Sequence, residues 1–264
     1  MRVGVTRGGA SFSGGVSAFR QEIPWRIWLG TYLRLFAVQG SWNYEILLGN
    51  GIAFCLDPIL RLLPANRHAE ALARQARYFN AHPYMAAVAV GALGRAELDG
   101  EDPAKIERFR TALCGPLGSI GDQLVWAAWL PACSIIALGA FGLGASAVAT
   151  LCIFLGVYNA GHLALRAWGL HVGLARGMRV APALATPVFR RGPQVIAKGA
   201  ALVAGLSLPL ALHRALGPGR VLADVVVVVA IVGAMLFARV HGRAQGWRVS
   251  LVVLAAFVLY SVVR

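Results

Sequence analysis

Leu113–Tyr158 reads LCGPLGSIGDQLVWAAWLPACSIIALGAFGLGASAVATLCIFLGVY, and the fold class follows from it. Its opening holds Gly115, Pro116, Gly118, Gly121 and one acid, Asp122; no further Asp, Glu, Lys or Arg occurs in the stretch. The apolar run after Asp122 exceeds the roughly twenty residues that a helix needs to cross a bilayer. Pro116 and the three glycines disfavour continuous helix, which predicts a turn over Gly115–Asp122, with Asp122 capping a helix that starts at Gln123. A broken helix entering a membrane offers free backbone groups and a dipole end to a cavity, the construction that transporters use for substrate sites. The same turn serves equally as a re-entrant corner in which Asp122 only caps.

The rest of the chain agrees with a membrane environment. Of 264 residues, 58% are hydrophobic and 14% charged, against about 25% charged in ordinary globular domains; the mean hydropathy is +0.66. The net charge of +14 comes from arginine, with Lys105 and Lys198 as the lysines. Nucleic-acid binding would need a basic face on a soluble module. Here the arginines stand between apolar runs, the pattern of cytoplasmic loops and headgroup contacts, so no nucleic-acid partner is expected. Cys55, Cys114, Cys133 and Cys152 stand singly in apolar surroundings with no CxxC spacing, so neither a zinc site nor a disulfide framework is implied. The first fifteen residues lack an apolar core or cleavage site, which predicts no cleaved signal and a cytoplasmic N-terminus.

Three regions are expected: a flexible tail over 1–24, amphipathic and short apolar helices over 25–112, partly cytoplasmic, and a membrane-embedded helical region over 113–264. In the second region Trp25, Trp28, Leu29, Tyr32, Leu33 and Phe36 share one helical face, with Arg26, Gly30 and Arg34 opposite. Such a helix suits either the membrane interface or packing on the protein's own membrane domain. Ile46–Leu63 is apolar and almost long enough to span, but Asp57 and Pro58 argue against an unbroken crossing. Ala65–Phe79 predicts a helix with Ala69, Leu72, Ala73, Ala76 and Phe79 on one face and a Glu70–Arg74 pair on the other. Four of the eleven acidic residues crowd into Glu97–Asp102, which reads as a solvated loop, followed by a short helix capped by Asp102 and reaching Leu113.

Beyond Tyr158, Asn159–Arg179 predicts a polar-studded helix, and Gly199–Leu212, Val221–Ala238 and Val249–Val263 are further apolar segments. Arg190, Arg191 and Lys198 flank the first of these segments, and Arg239, Arg243 and Arg248 separate the last two. The positive-inside rule then places both basic groups in the cytoplasm and the C-terminus outside.

Little in the chain carries covalent chemistry. GPLGSIGD lacks the lysine of a phosphate-cradling loop. His162 and His171 are not at helical metal-pair spacing, and no nucleophile–base set or carboxylate pair assembles, so no catalytic residue, metal or cofactor is assigned. Asn43, Glu45, Asn80 and His82 border apolar segments beside Trp42, Tyr44 and Tyr84. Carboxylates and amides that bond hydroxyls, with rings that cover an apolar sugar face, make a sugar site; the same residues also serve as caps and interface anchors.

QGSWNYE (39–45), FCLDPILRLLP (54–64), RYFNAHPYMAA (77–87), LCGPLGSIGDQLVWAAWLP (113–131) and YNAGHLALRAWGLHVGLARG (158–177) occur in this order. Together they resemble the IID subunit of the mannose/fructose/sorbose-type phosphotransferase system (PTS). The specific elements are Phe79, Asn80 and Pro83, and Gly115, Pro116, Leu117, Gly121 and Asp122. The resemblance implies an all-α, polytopic integral membrane protein with broken or re-entrant helices, in the bacterial inner membrane, paired with a IIC subunit. The pair would move a hexose inward while separate IIA and IIB phosphocarriers phosphorylate it, so the chain itself would be no enzyme. Asn43, Glu45, Asn80, Pro83, Gly115, Pro116, Gly118, Gly121 and Asp122 are the expected substrate-path residues or their support. Gln123 stands where the family pattern continues into proline, and the segment after Gly177 matches poorly. These departures leave a second reading open, a degenerate IID-like scaffold or regulatory protein that moves no sugar.

Overall fold

The computed structural model describes residues 22–217 and scattered positions between 219 and 233. The expected tail up to residue 21, most of Val221–Ala238, all of Val249–Val263 and the arginines at 239, 243 and 248 lie outside the described residues. Among the described residues every regular element is a helix: α1 (Trp25–Arg34), α2 (Gly49–Leu60), α3 (Ala65–Gln75), α4 (Ala86–Leu98), α5 (Pro103–Gly121), a π-helix (Asp122–Trp129), α6 (Leu130–Gly142), α7 (Ala147–Arg176), α8 (Ala181–Leu184) and α9 (Pro187–Leu216). The chain forms two compact units. Among the described residues, one holds 22–115 together with Ala167–Val180; the other holds Pro116–Arg166 and the described residues from Ala181 onward.

The first unit is built around α4. Its residues are small and apolar, and Ala86 to Glu97 are all buried, as expected of a helix that is hydrophobic on every side. The C-terminal part of α7 crosses it at Gly169, Gly173 and Gly91. A Cβ on Gly173 would meet backbone atoms of Val88, Gly91 and Ala92, so only glycine lets the two backbones come this close. Helix α2 packs against α1, α3 and α4.

Asp57 ties three of these helices together. It accepts from Arg34 of α1 at 3.0 Å and from Arg61 at 3.1 Å, and its Oδ1 lies 3.2 Å from His68 Nε2 of α3. Pro58 sits inside α2, and the helix, at twelve residues, is too short to span.

Helix α1 forms where its apolar spacing predicts, and it has two working faces. Thr31 and Leu35 are buried, whereas Trp25, Leu29, Leu33 and Phe36 point outward, with Trp25 69% exposed. Arg34 is not an idle polar residue: it reaches Asp57 and lies over the Phe54 ring at 4.6 Å.

Three local expectations are corrected in this unit. In α3 the buried positions are Ala71 and Gln75, while Ala69 and Ala73 are exposed. Arg74 does not pair with Glu70; its guanidinium holds both oxygens of Glu97 in α4, at 3.0 and 2.9 Å. Glu97 is not in a solvated loop but 2% exposed, with Gln75 Nε2 as a further donor at 2.8 Å. An i,i+4 surface pair contributes about 0.3–0.5 kcal/mol, whereas stranding a buried charge costs about 3–5 kcal/mol, which decides where Arg74 goes. The loop proper is Asp99–Asp102, turned by Gly100 at φ 71°, and Asp102 caps α5 as expected, accepting from the Ala104 amide at 2.6 Å.

Helix α5 does not stop near Leu113. It continues to Gly121 with Pro116 inside it, so the predicted turn over Gly115–Asp122 is absent. Pro116 removes one backbone donor from a face that is exposed, a loss that an apolar helix tolerates. The departure from regular α-structure comes just afterwards, as the eight-residue π-helix from Asp122. Asp122 makes no capping bond, and Gly121 before it is already helical.

In the second unit, α6 and α9 make the most extensive pairing. Gly139 faces the Ser207 side chain, and Gly142 faces Leu210 and Ala211, the small-residue contact that joins helices in membranes. Arg214 of α9 donates to the carbonyls of Phe141 and Ala145 just past the bend after α6, the latter at 2.7 Å, and covers the Phe141 ring at 4.5 Å. Trp129 lies over Gly161 of α7. The apolar segment ending at Tyr158 and the polar-studded segment after it form one helix, α7.

Three helical runs are long and apolar enough to cross a membrane: Pro103–Gly142, Ala147–Arg179 and Ala181–Leu216. Much of their apolar surface points outward, Leu202 at 75% and Leu206 at 70% exposure among them.

Candidate functional site

Asn43 owes its place to its own short amide. Its Oδ1 accepts from the backbone N–H of Glu45 and of Ile46, both at 3.0 Å, an Asx turn of the kind this residue favours. The turn ends on Leu47 at φ 50°, and the Leu47 N–H donates to the Asn43 carbonyl at 3.0 Å. Asn43 therefore shapes the loop, with its acceptor oxygen occupied. Glu45 beside it is exposed, as are Trp42 and Tyr44, whose rings meet edge to face at 4.8 Å.

The second motif segment is sewn onto this turn. The Phe79 N–H donates to the Ile46 carbonyl at 3.1 Å, and the Phe79 carbonyl accepts from the Leu48 N–H at 2.9 Å. Gly49 lets the two strands of chain approach, since a Cβ there would overlap the carbonyls of Ala76 and Arg77. The segments around Asn43–Glu45 and Phe79–Asn80, more than thirty residues apart in sequence, thus share one backbone bridge, and Glu45 and Asn80 are both exposed. Pro83 is half-buried. His82 is buried, accepts from the Tyr84 amide at 3.2 Å and packs edge-on against the Tyr84 ring, so it supports the loop from inside.

Gly115 lies on an exposed side of α5 with nothing close to it. Pro116, Gly118, Gly121 and Asp122 belong to the second unit. Gly118 also has open space where a Cβ would be, Gly121 is buried, and Asp122 is exposed. Gln123, one residue on, donates to Ser119 Oγ at 3.2 Å. An exposed side chain set of glycine, serine, aspartate and glutamine on an otherwise apolar helical run is costly against lipid and suits a polar path or a protein partner. The π-helix that starts at Asp122 adds to this, because such segments are frequent at functional sites.

Sequence reasoning missed Arg110. Its side chain is 2% exposed and donates to the carbonyls of Tyr78 at 2.7 Å, Gln75 at 3.2 Å and Arg77. The signal was present in the spacing: Ile106, Arg110, Leu113 and Leu117 follow one helical stripe, and all four are buried. A charged residue inside an apolar stripe needs a dedicated acceptor set, which could have been sought.

Among the described residues no three His, Cys, Asp or Glu side chains come together. In the first unit Glu45 offers an exposed carboxylate and Asn80 an exposed amide, and in the second Asp122 offers an exposed carboxylate, groups able to exchange hydrogen bonds with hydroxyls.

The family model described as PTS system mannose/fructose/sorbose family IID component matches residues 27–198. Among curated relatives, the mannose-specific EIID component of Escherichia coli K12 is 31% identical over 159 residues, 57% of this chain and 56% of the relative. The fructose permease IID component of Bacillus subtilis is 30% identical over 162 residues, 58% of each chain. The sorbose-specific EIID component of Lacticaseibacillus casei is 33% identical over 150 residues, 53% of this chain and 51% of the relative. The chain thus spans about half the length of the curated relatives it matches. Among solved structures, the mannose transporter ManYZ in complex with microcin E492 contains a chain of similar fold. The TM-score is 0.54 at 20% identity, covering 91% of this chain and 96% of that one. A second structure, described as a membrane protein, gives 0.60 at 20% identity over 92% and 97%.

Proposed function

We propose that this chain, which belongs to the mannose/fructose/sorbose family of PTS IID components, is the IID subunit of a hexose permease. It pairs with a IIC subunit in the bacterial inner membrane and translocates sugar inward. Phosphoryl transfer is carried by IIA and IIB partners, and this chain supplies no catalytic residue. The observation that carries the reading is the extent of the family match: residues 27–198 take in both groups of polar motif residues.

The chemistry of those residues supports a binding role. Glu45, Asn80 and Asp122 are exposed, and each can exchange hydrogen bonds with sugar hydroxyls. Trp42 and Tyr44 offer ring faces beside Glu45. Asn43, Pro83 and Gly121 act as support, the first through its Asx turn. Gly115 and Gly118, three residues apart, leave one side of the helix free of bulk, and Pro116 stands beside them as support. The outward stripe of α1 and the 3-10 turn that continues it (Leu35–Ala37), with Trp25, Leu29, Leu33 and Phe36, suits the headgroup region of the bilayer, where an amphipathic helix buries its apolar face.

The test is phosphoenolpyruvate-dependent sugar uptake in cells lacking their own hexose permeases, with the IIC, IIA and IIB partners supplied. The expected result is uptake that depends on this chain and falls at least about tenfold in Asp122→Asn, the scale of one lost charge-assisted hydrogen bond, with IIC pairing intact. A stable complex that moves no sugar would favour the scaffold reading. Unchanged uptake in Asp122→Asn would remove that residue from the path.

A further inference from the structure

Arg110 makes an unusual set of contacts for a residue so deeply buried. Its two terminal nitrogens serve the carbonyls of Gln75, Arg77 and Tyr78, the last residue of α3 and two positions just beyond it. That is the negative end of the α3 dipole, where orphan carbonyls need donors. The guanidinium also lies over the Phe79 ring, 5.2 Å from its centroid. Among the described residues only Glu107, one turn back on α5 and 4.0 Å away, pairs with its charge. The charge is therefore spent on backbone. A stable α3 end alone would not require an arginine from another helix, because water or a glycine cap satisfies such carbonyls at ordinary helix ends.

The position of those carbonyls gives the contact its meaning. Phe79, covered by the guanidinium, bonds through both backbone groups to the turn that carries Asn43 and Glu45, and Asn80 follows it directly. One side chain thus clasps the segment from which the two exposed motif residues Glu45 and Asn80 are held. Arg110 projects from α5, the helix that carries Gly115 five residues further on.

We propose that Arg110 is the positioning residue of the Tyr78–Pro83 segment, setting Asn80 and the bridged Asn43–Leu47 turn for substrate by its fork across three carbonyls and its cover over Phe79. The proposal rests on the reading of Asn80 as a substrate-path residue. A planar fork with five donors can hold several carbonyls at fixed angles; a lysine ammonium can neutralise the same helix end but not fix its direction. Arg110→Lys accordingly keeps the charge while releasing the geometry.

The experiment measures uptake against sugar concentration in the assembled complex for Arg110→Lys, Asn80→Ala and the double variant, with membrane insertion, IIC co-purification and detergent melting as controls. Expected is normal assembly, with a half-saturation concentration raised about tenfold in each single variant and no further rise in the double, the non-additivity of groups that act as a unit. A double variant whose losses multiply, or Arg110→Lys with unchanged half-saturation, overturns the positioning role while leaving Asn80 in the path. A silent Asn80→Ala overturns the reading of Asn80 itself, and the positioning role with it. Should Arg110→Lys fail to accumulate, Phe79→Leu decides. It keeps every backbone bond but removes the ring under the guanidinium, and a rise in half-saturation with assembly intact supports the proposal, whereas no change overturns it.

Discussion

Asp57 shows how one carboxylate becomes structural. Burial pushes its pKa up, but hydrogen bonds with Arg61, His68 and Arg34 together outweigh that and hold it below the ordinary carboxylate value. A folded-state pKa below the unfolded one means stability that is present above about pH 3.9 and lost as pH falls through the lower folded value. Asp57→Asn should therefore lower the detergent melting temperature at pH 7 and narrow its gap from the wild type under acid. A constant gap from pH 7 to pH 3 would show that the ionised form of Asp57 contributes nothing. The sequence revealed Asp57 as a charge in an apolar run but not its partners, which arrive from α1 and α3 and depend on how those helices cross. Asn43 was legible as a polar residue beside aromatics; its role in bonding its own turn follows from local backbone geometry that composition does not encode.

At the scale of elements, the helix starts were easier to read than the interruptions. Asp102 and Pro103 marked the start of α5 correctly because capping is local chemistry. Gly115–Asp122 did not break the helix, because Leu113 and Leu117 anchor it on one side and tertiary packing overrides weak propensity. The close crossing of α4 and α7 belongs at this scale too. Gly173→Val would drive a side chain into the backbone of Val88, Gly91 and Ala92, none of which is a flexible tip. The expected cost is at least about 1–3 kcal/mol, as for overpacked cores, seen as a lower melting temperature and less accumulated protein. Gly156→Ala in the same helix, where nothing lies near, should be neutral or slightly stabilising by comparison. Equal effects at the two positions would mean that the crossing does not depend on glycine.

For the whole molecule, the governing quantity is the apolar surface that the described residues leave uncovered. Leu151, Val188, Val195, Leu202 and Leu206 are all more than half exposed on two of the three long helical runs, an apolar display of the kind that a water-soluble monomer rarely tolerates. The chain should accordingly remain in the membrane pellet through alkaline carbonate washing and leave it only with detergent. Release by carbonate would show that these helices do not cross the bilayer.

The amino-acid sequence by itself determined the helical class, the membrane environment and the family, because apolar run length, charge density and ordered motifs are properties of the chain read in one dimension. It also singled out Glu45, Asn80 and Asp122 as polar groups in unusual surroundings. Only the tertiary structure decided that Arg74 serves Glu97 rather than Glu70, that Arg110 holds the end of α3, and that the Asn43 turn and Phe79 share a bridge. Each of these joins residues far apart in sequence, and the energy of a buried charge or backbone bond depends on which acceptor the fold brings within reach.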